Sequence, residues 1–343
     1  MPSKPSSKRV AKAIRPSGMS VLNHRTKPVA RCAAGFVFAF ALIGETGVAR
    51  AAQFAYVTNQ GSETVSVVDL KTFKTTAEIK VAGRPAGVAR APRLPQVYVT
   101  APNSHDVAVI GTATNTILRR IETGGGPVGI AAHPTNGLIY VADWYSNHLA
   151  VVDPEAGRVL QTIEVGQSPS GVAVTADGTT ILTADRDSDA VSLIDAATHT
   201  RQAQIKVGSR PFGITLNPEG TRAYTANVGS DDVSVIDLKS KSVIATVPVG
   251  RRPYALALTP THAFVTDQYS GTVTIFDLAD NKPVQTIDVG DHPEGIAYDG
   301  QSGAIYVACW FDNELVRIDA ASRTITGKAK VGDGPRAFGD FLN

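Results

Sequence analysis

Pro169-Ser170-Gly171-Val172-Ala173-Val174 opens the stretch that decides the fold. A turn, Thr175-Ala176-Asp177-Gly178-Thr179, leads to Ile181-Leu182-Thr183-Ala184-Asp185. A polar loop then gives way to Ala190-Val191-Ser192-Leu193-Ile194-Asp195, a second turn, and Arg201-Gln202-Ala203-Gln204-Ile205-Lys206-Val207-Gly208. These are four runs of strand length, rich in Val, Ile and Leu, separated by turn formers. No window leaves room for a capped helix of about ten residues. The unit is a four-stranded antiparallel meander, with strands A to D.

The unit recurs along the chain. Pro85, Pro127, Pro169, Pro211, Pro253, Pro293 and Pro335 mark it, at successive spacings of 42, 42, 42, 42, 40 and 42 residues. A four-stranded unit copied every ~40 residues is the signature of a propeller blade. Length alone would suggest about two domains, but the repeat overrides that prior. The array enters on a strand B, Phe54-Ala55-Tyr56-Val57-Thr58, and leaves on a strand A, Arg336-Ala337-Phe338-Gly339-Asp340-Phe341. The last strand is therefore expected to complete the first blade and clasp the ring, which leaves only short, protected edges. The prediction is an all-β, seven-bladed β-propeller over residues 52–343, with six uninterrupted blades and one shared between the ends.

The strand B segments read Tyr56-Val57-Thr58-Asn59, Tyr98-Val99-Thr100-Ala101, Tyr140-Val141-Ala142-Asp143, Leu182-Thr183-Ala184-Asp185, Tyr224-Thr225-Ala226-Asn227, Phe264-Val265-Thr266-Asp267 and Tyr306-Val307-Ala308-Cys309. In these tetrapeptides, and in its Val-Ser-Val-Ile-Asp and Val-Gly-x-x-Pro-x-Gly segments, the chain resembles the YVTN family of bacterial and archaeal β-propellers. The resemblance covers residues 53 to 343. It implies the scaffold, while roles in that family range over surface proteins, nucleic-acid binders and redox-enzyme subunits, so function has to be argued from a site.

Residues 1–51 differ in kind. Nine Lys and Arg stand there against one acid, Glu45. An apolar run from Cys32 to Gly44 and a small-x-small site at Ala49-Arg50-Ala51 follow the basic front. This pattern reads as a secretory signal peptide, with Met1 or Met19 as its start. The apolar run is short for a membrane span, so none is expected after cleavage. The whole chain carries +2. Removing the +8 of the leader leaves −6, which argues against double-stranded nucleic acid as a partner. The expected location is periplasmic or secreted. Cys309 is the one cysteine left after cleavage, which excludes an internal disulfide.

In a repeat protein, a residue shared by most copies supports the fold, and a departure from its slot is a candidate for function. Asp69, Asp153, Asp195, Asp237, Asp277 and Asp319 recur at the end of strand C and read as turn residues. The departures collect on the rim where the D–A and B–C loops lie together, here called the top. Before the marker proline stand Arg84, Arg210, Arg252 and His292, and after it Phe212, Tyr254, Glu294 and Arg336. Arg251 adds to the same arc. Trp144 and Trp310 share one B–C slot, with Tyr145, Tyr269 and Phe311 in the next. The tryptophans are expected to face each other across the axial mouth. Convergent guanidinium groups beside aromatic walls suit a carboxylate or phosphate ligand.

No phosphate-binding glycine loop, Cys-x-x-Cys-His or Gly-x-Ser-x-Gly occurs. No cofactor or metal is expected; Asp291, His292 and Glu294 are the nearest thing to a local metal set. The leading expectation is a binding or scaffold protein for an anionic small molecule or a partner's loop. A closed ring has no need of a second copy. One alternative is a lactonase or lyase with Glu294 or His292 as general acid or base. Another, from the resemblance, is an accessory subunit of a periplasmic redox enzyme. Aromatics beside arginines also keep single-stranded nucleic acid in view.

Overall fold

Each apolar run read from the sequence is a strand in the computed structural model, which describes residues 53–343. The signal peptide expected over residues 1–51, its start and Cys32 lie outside the described residues. Seven blades of antiparallel strands surround one axis. Blade four shows the pattern: Pro169–Val174, Thr180–Asp185, Ala190–Asp195 and Thr200–Lys206 pair in that order outward. A three-residue 3-10 turn, Arg186–Ser188, is the only helical element among the described residues. No helix among them is long and apolar enough to cross a membrane.

Burial follows from stacking blade on blade. Strands B and C are covered on both faces and read as near-continuous apolar runs, as in Phe54–Asn59. The outermost strands alternate, as in Lys74–Lys80, because one face meets water. The innermost strands press against one another around the axis. Glycine is required where they do. A Cβ at Gly129 would lie 1.8 Å from the Ser170 carbonyl oxygen, and one at Gly295 would lie 2.1 Å from that of Ala337. Neighbouring blades are also tied by hydroxyls. Thr58, Thr100 and Thr266 donate to the carbonyls of Ala86, Val128 and Glu294 at 2.7, 2.8 and 2.7 Å. Blade four has Ala184 in that slot, and Ser170 supplies the missing tie by donating to Phe212 O at 3.0 Å.

The slot after those threonines holds the next loop. Asp267 is fully buried and accepts from Gly250 N–H at 3.0 Å, Thr272 at 2.9 Å and Thr274 at 2.6 Å. Burial nonetheless pushes its pKa up to about 6. Between about pH 4 and 6 the folded state keeps a proton that the unfolded chain has lost, so stability falls as pH rises through that window. Asn227 fills the same slot in blade five and donates to Ser234 at 2.9 Å. Asp267→Asn is therefore expected to gain about 2–3 kcal/mol over the parent at pH 7 and to lose that gain below pH 4. Urea unfolding at the two pH values checks it; a constant difference between the proteins would refute the assignment. Cys309 is also fully buried, and burial pushes its thiol up to about 12, so it packs and does not react.

The ring closes as expected, with one departure. The C-terminal segment pairs antiparallel with Phe54–Asn59 through Asn59–Pro335 and Ala55–Leu342. Arg336 N–H donates to Thr58 O at 2.7 Å, Tyr56 N–H to Phe341 O at 2.8 Å and Asn343 N–H to Phe54 O at 2.8 Å. Between the two bridges the first strand runs from Asn59 back to Ala55 while the last runs from Pro335 to Leu342. In blade five the innermost strand takes only Pro211 to Leu216 for the equivalent Asn227 to Ala223. The surplus bulges toward the axis. There Phe338 and Gly339 bridge Gly87 and Val88 of blade two, in parallel.

Candidate functional site

The bulge decides what fills the top of the axis. It carries Phe338 across to Phe212 of blade five, with ring centroids 5.0 Å apart, and to Tyr254 of blade six at 5.5 Å. Phe212 and Tyr254 stack at 4.5 Å, and Trp144 abuts Phe212 at 6.0 Å. Phe212, Tyr254 and Phe338 are only 6%, 3% and 5% exposed. The sequence places Phe212 and Tyr254 on the wall of an open mouth; the structure makes them a plug. The Arg84, Ser168, Arg210, Arg252 and His292 slot has a left-handed backbone, with φ between 51° and 58°. That conformation costs a side chain roughly 1–2 kcal/mol. It is held by acceptors from the preceding blade's B–C loop: Asp189 takes Arg210 N–H at 2.8 Å and Asp231 takes Arg252 N–H at 2.7 Å.

Beside the plug lies a chain of polar groups. Arg252 Nε donates to Gln268 Oε1 at 2.6 Å, and Gln268 Nε2 donates to Glu294 Oε1 at 2.5 Å. Glu294 Oε2 faces Arg336 Nε at 3.0 Å, and the same Nε donates to the Tyr254 hydroxyl at 2.5 Å. Glu294 is 3% exposed. Burial raises its pKa in spite of Arg336 and Gln268, and burial likewise holds the Tyr254 hydroxyl well above its ordinary value. In this arrangement Glu294 has no face open to a substrate. Arg336 keeps about a fifth of its side chain in solvent. It lies over Tyr254 at 5.5 Å and over Trp310 at 5.7 Å.

Other basic side chains rest on aromatic faces nearby. Arg252 lies 4.9 Å from the Tyr269 ring centroid. His292 packs between Phe311 at 4.6 Å and Tyr269 at 5.4 Å, with Nδ1 on Asp291 Oδ1 at 2.6 Å. A continuous line of contacts thus runs from Trp144 through Phe212, Tyr254 and Arg336 to Trp310. Arg84 and Arg210 stand outside this network, exposed and without an ion pair among the described residues. No cluster of three His, Cys, Asp or Glu among the described residues is disposed to hold a metal.

Three participants escape a reading of the proline-flanking slots. Gln268 shares the slot of Trp144 and Trp310, where the same subtraction would have found it. Arg186, also in that slot, lies 5.3 Å from the Trp144 ring centroid. Phe338 is the one aromatic in a slot held by Val88, Ile130, Val172, Ile214, Leu256 and Ile296.

The YNCE-like beta-propeller family model matches residues 174–340, and the Cytochrome D1 heme domain model matches residues 43–177. The chain is a β-propeller. Among solved structures it is similar to a chain of Kuenenia stuttgartiensis hydrazine synthase. That likeness has 21% identity and a TM-score of 0.69, and covers 82% of this chain and 99% of that one. It is also similar to a functionally unknown protein from Desulfotomaculum acetoxidans, at 15% identity and TM-score 0.71, covering 83% and 99%. No curated protein matches the chain. Among the residues that line the axial cavity there is no histidine, cysteine or methionine; Tyr298 is the one side chain there of a type that ligates a haem iron.

Proposed function

We propose that this propeller is an exported binding or scaffold protein of the YVTN kind that holds an anionic ligand or a partner's acidic loop on its top face. The observation that carries this reading is Arg336: partly open to solvent, clamped between Tyr254 and Trp310, and fixed from below by buried Glu294. A guanidinium held this way loses little freedom when it binds a carboxylate or phosphate. Arg252 on Tyr269 extends the cationic surface, and His292 packs beside it on Phe311. Tyr145, Tyr269 and Phe311, at 75%, 52% and 61% exposed, offer a partner loop the apolar contacts that a small anion would not use.

The test is a thermal-shift series with phosphate, citrate and an acidic peptide. At least one should raise the melting temperature, and the Arg252→Ala variant should weaken that binding by about 10- to 100-fold. Charge-assisted hydrogen bonds of about 1.5–3 kcal/mol set that range. If no anion shifts the parent, the reading fails.

A further inference from the structure

The guanidinium of Arg336 has an inner end and an outer end. The inner end meets Glu294, a buried side chain whose two oxygens are answered differently. Oε1 accepts from Gln268 at 2.5 Å. Oε2 is shut off from water and has no hydrogen bond; what faces it is Arg336 Nε at 3.0 Å. That same Nε donates to the Tyr254 hydroxyl, so it is spent inward. The two Nη atoms of Arg336 have no hydrogen-bond partner among the described residues, and they are not among the buried polar atoms left without one. The outer, Nη end is therefore the part that solvent reaches. An anion bound there and the buried carboxylate share one cation.

Two anions on one guanidinium do not act independently. A ligand on the Nη end brings a second negative charge to within a guanidinium's width of Glu294, where little water screens it. A nearby like charge favours the protonated form of a carboxyl group. The other groups around Glu294 do not offset that charge. Gln268 and Tyr254 are neutral, and His292 is tied through Nδ1 to Asp291 at 2.6 Å. Arg252 reaches Glu294 only through Gln268. Burial already raises the Glu294 pKa with Arg336 in place, so the step to the protonated form is short.

We propose that the top face takes up an anion and a proton together: occupation of the Nη end of Arg336 is coupled to protonation of Glu294. The inference rests on the anion-binding reading above and supplies its regulation. Glu294 does not touch the ligand; it acts through Arg336, as a positioning residue. The sign follows from linkage. The bound state holds the proton more tightly than the free state, so affinity rises as pH falls through the interval between the two pKa values, and is flat on either side of it. The surface thus captures its anion in an acidic medium and releases it in an alkaline one.

Sulfate is the probe, because its charge does not change over the pH range used, as that of phosphate does. Calorimetric titration should give an affinity about tenfold higher at pH 5 than at pH 8. Titrations between those values, in buffers of different ionisation enthalpy, should show proton uptake on binding. Glu294→Gln keeps the shape of the side chain and should bind sulfate at pH 8 as tightly as the parent does at pH 5, with no proton uptake. His292→Gln removes the other group on this surface that titrates in the range, and should retain the pH dependence. Where Glu294→Gln fails to fold, proton uptake by the parent and by His292→Gln decides the matter. A parent whose sulfate affinity ignores pH, binding without proton uptake, or a pH dependence that survives Glu294→Gln and vanishes in His292→Gln would overturn the proposal and leave the anion-binding reading standing. Absence of sulfate binding at both pH values would also overturn it, and the thermal-shift series then decides separately whether that reading falls.

Discussion

Arg336→Leu should destabilise the propeller by about 3–5 kcal/mol at pH 7 and remove anion binding at the top face. The reason is the charge left behind. Glu294 is 3% exposed, and in the parent its carboxylate is answered by Arg336 at 3.0 Å. Removing one partner of a buried pair strands the other in a medium that solvates it poorly. Burial already raises the Glu294 pKa with the guanidinium present, and without it the pKa rises further. The folded variant then keeps a proton that the folded parent releases, so its deficit against the parent grows as pH rises above the parent's own raised Glu294 pKa and shrinks below it. Glu294→Gln in the Arg336→Leu background should recover most of the stability, because a neutral amide can still meet Gln268 and Tyr254, but should not recover anion binding. Chemical denaturation of the four proteins of this cycle at pH 4 and pH 7 measures the coupling. Equal losses at both pH values would show that Arg336 acts by packing alone.

Removal of Pro335–Asn343 should have the larger effect: loss of cooperative folding, seen as the absence of a sharp thermal transition. That segment supplies the innermost strand of the shared blade, and with it Phe338, Phe341 and Leu342, which are 5%, 0% and 7% exposed. Each of these side chains contributes about 1.5–3 kcal/mol by burial. The deletion also strips the backbone partners of Tyr56 and Phe54 and takes Arg336 away from Glu294. Together these losses rival the 5–15 kcal/mol that holds a typical domain folded. Phe341→Ala gives a graded version and should cost about 3–5 kcal/mol while leaving the strand paired. A truncated chain that melts as sharply as the parent would show that the ring holds without its clasp.

The two predictions meet in one segment. The strand that closes the ring also carries Arg336 to Glu294 and Phe338 to the axis. Spacing predicts the closure but not that link, which depends on the surplus residues the last strand takes between its two bridges to Asn59 and Ala55. The slots were legible for a different reason. Thr58, Thr100 and Thr266 recur because each meets the same carbonyl on the next blade, and Asn59, Asp143, Asp185, Asn227 and Asp267 recur because each sits where an inter-strand loop must be held. Gly87, Gly129, Gly171, Gly213 and Gly295 recur because backbone stands where a Cβ would go.

The candidate site was legible in part. The residues that depart from their slots do collect at the top, and Trp144, Phe212, Tyr254, Glu294, Arg252 and Arg336 fall into one network. Their depth was not legible. Phe212 and Tyr254 follow their prolines just as Ala86 and Val128 do, and nothing local to them says that a ring from the C-terminal strand will cover them. Gln268 joins Arg252 to Glu294 only because two neighbouring blades place their loops side by side.

By itself, the sequence determined the repeat, its period, the number of blades and the face that each repeated strand buries. These depend on alternation and turn chemistry within some forty residues, and a register slip would turn every buried Val and Ile to water. Only the tertiary structure decided that the upper axis is plugged and that Glu294 is buried under Arg336. Those outcomes depend on how many residues the last strand takes between two bridges, and on which distant side chains its bulge then meets.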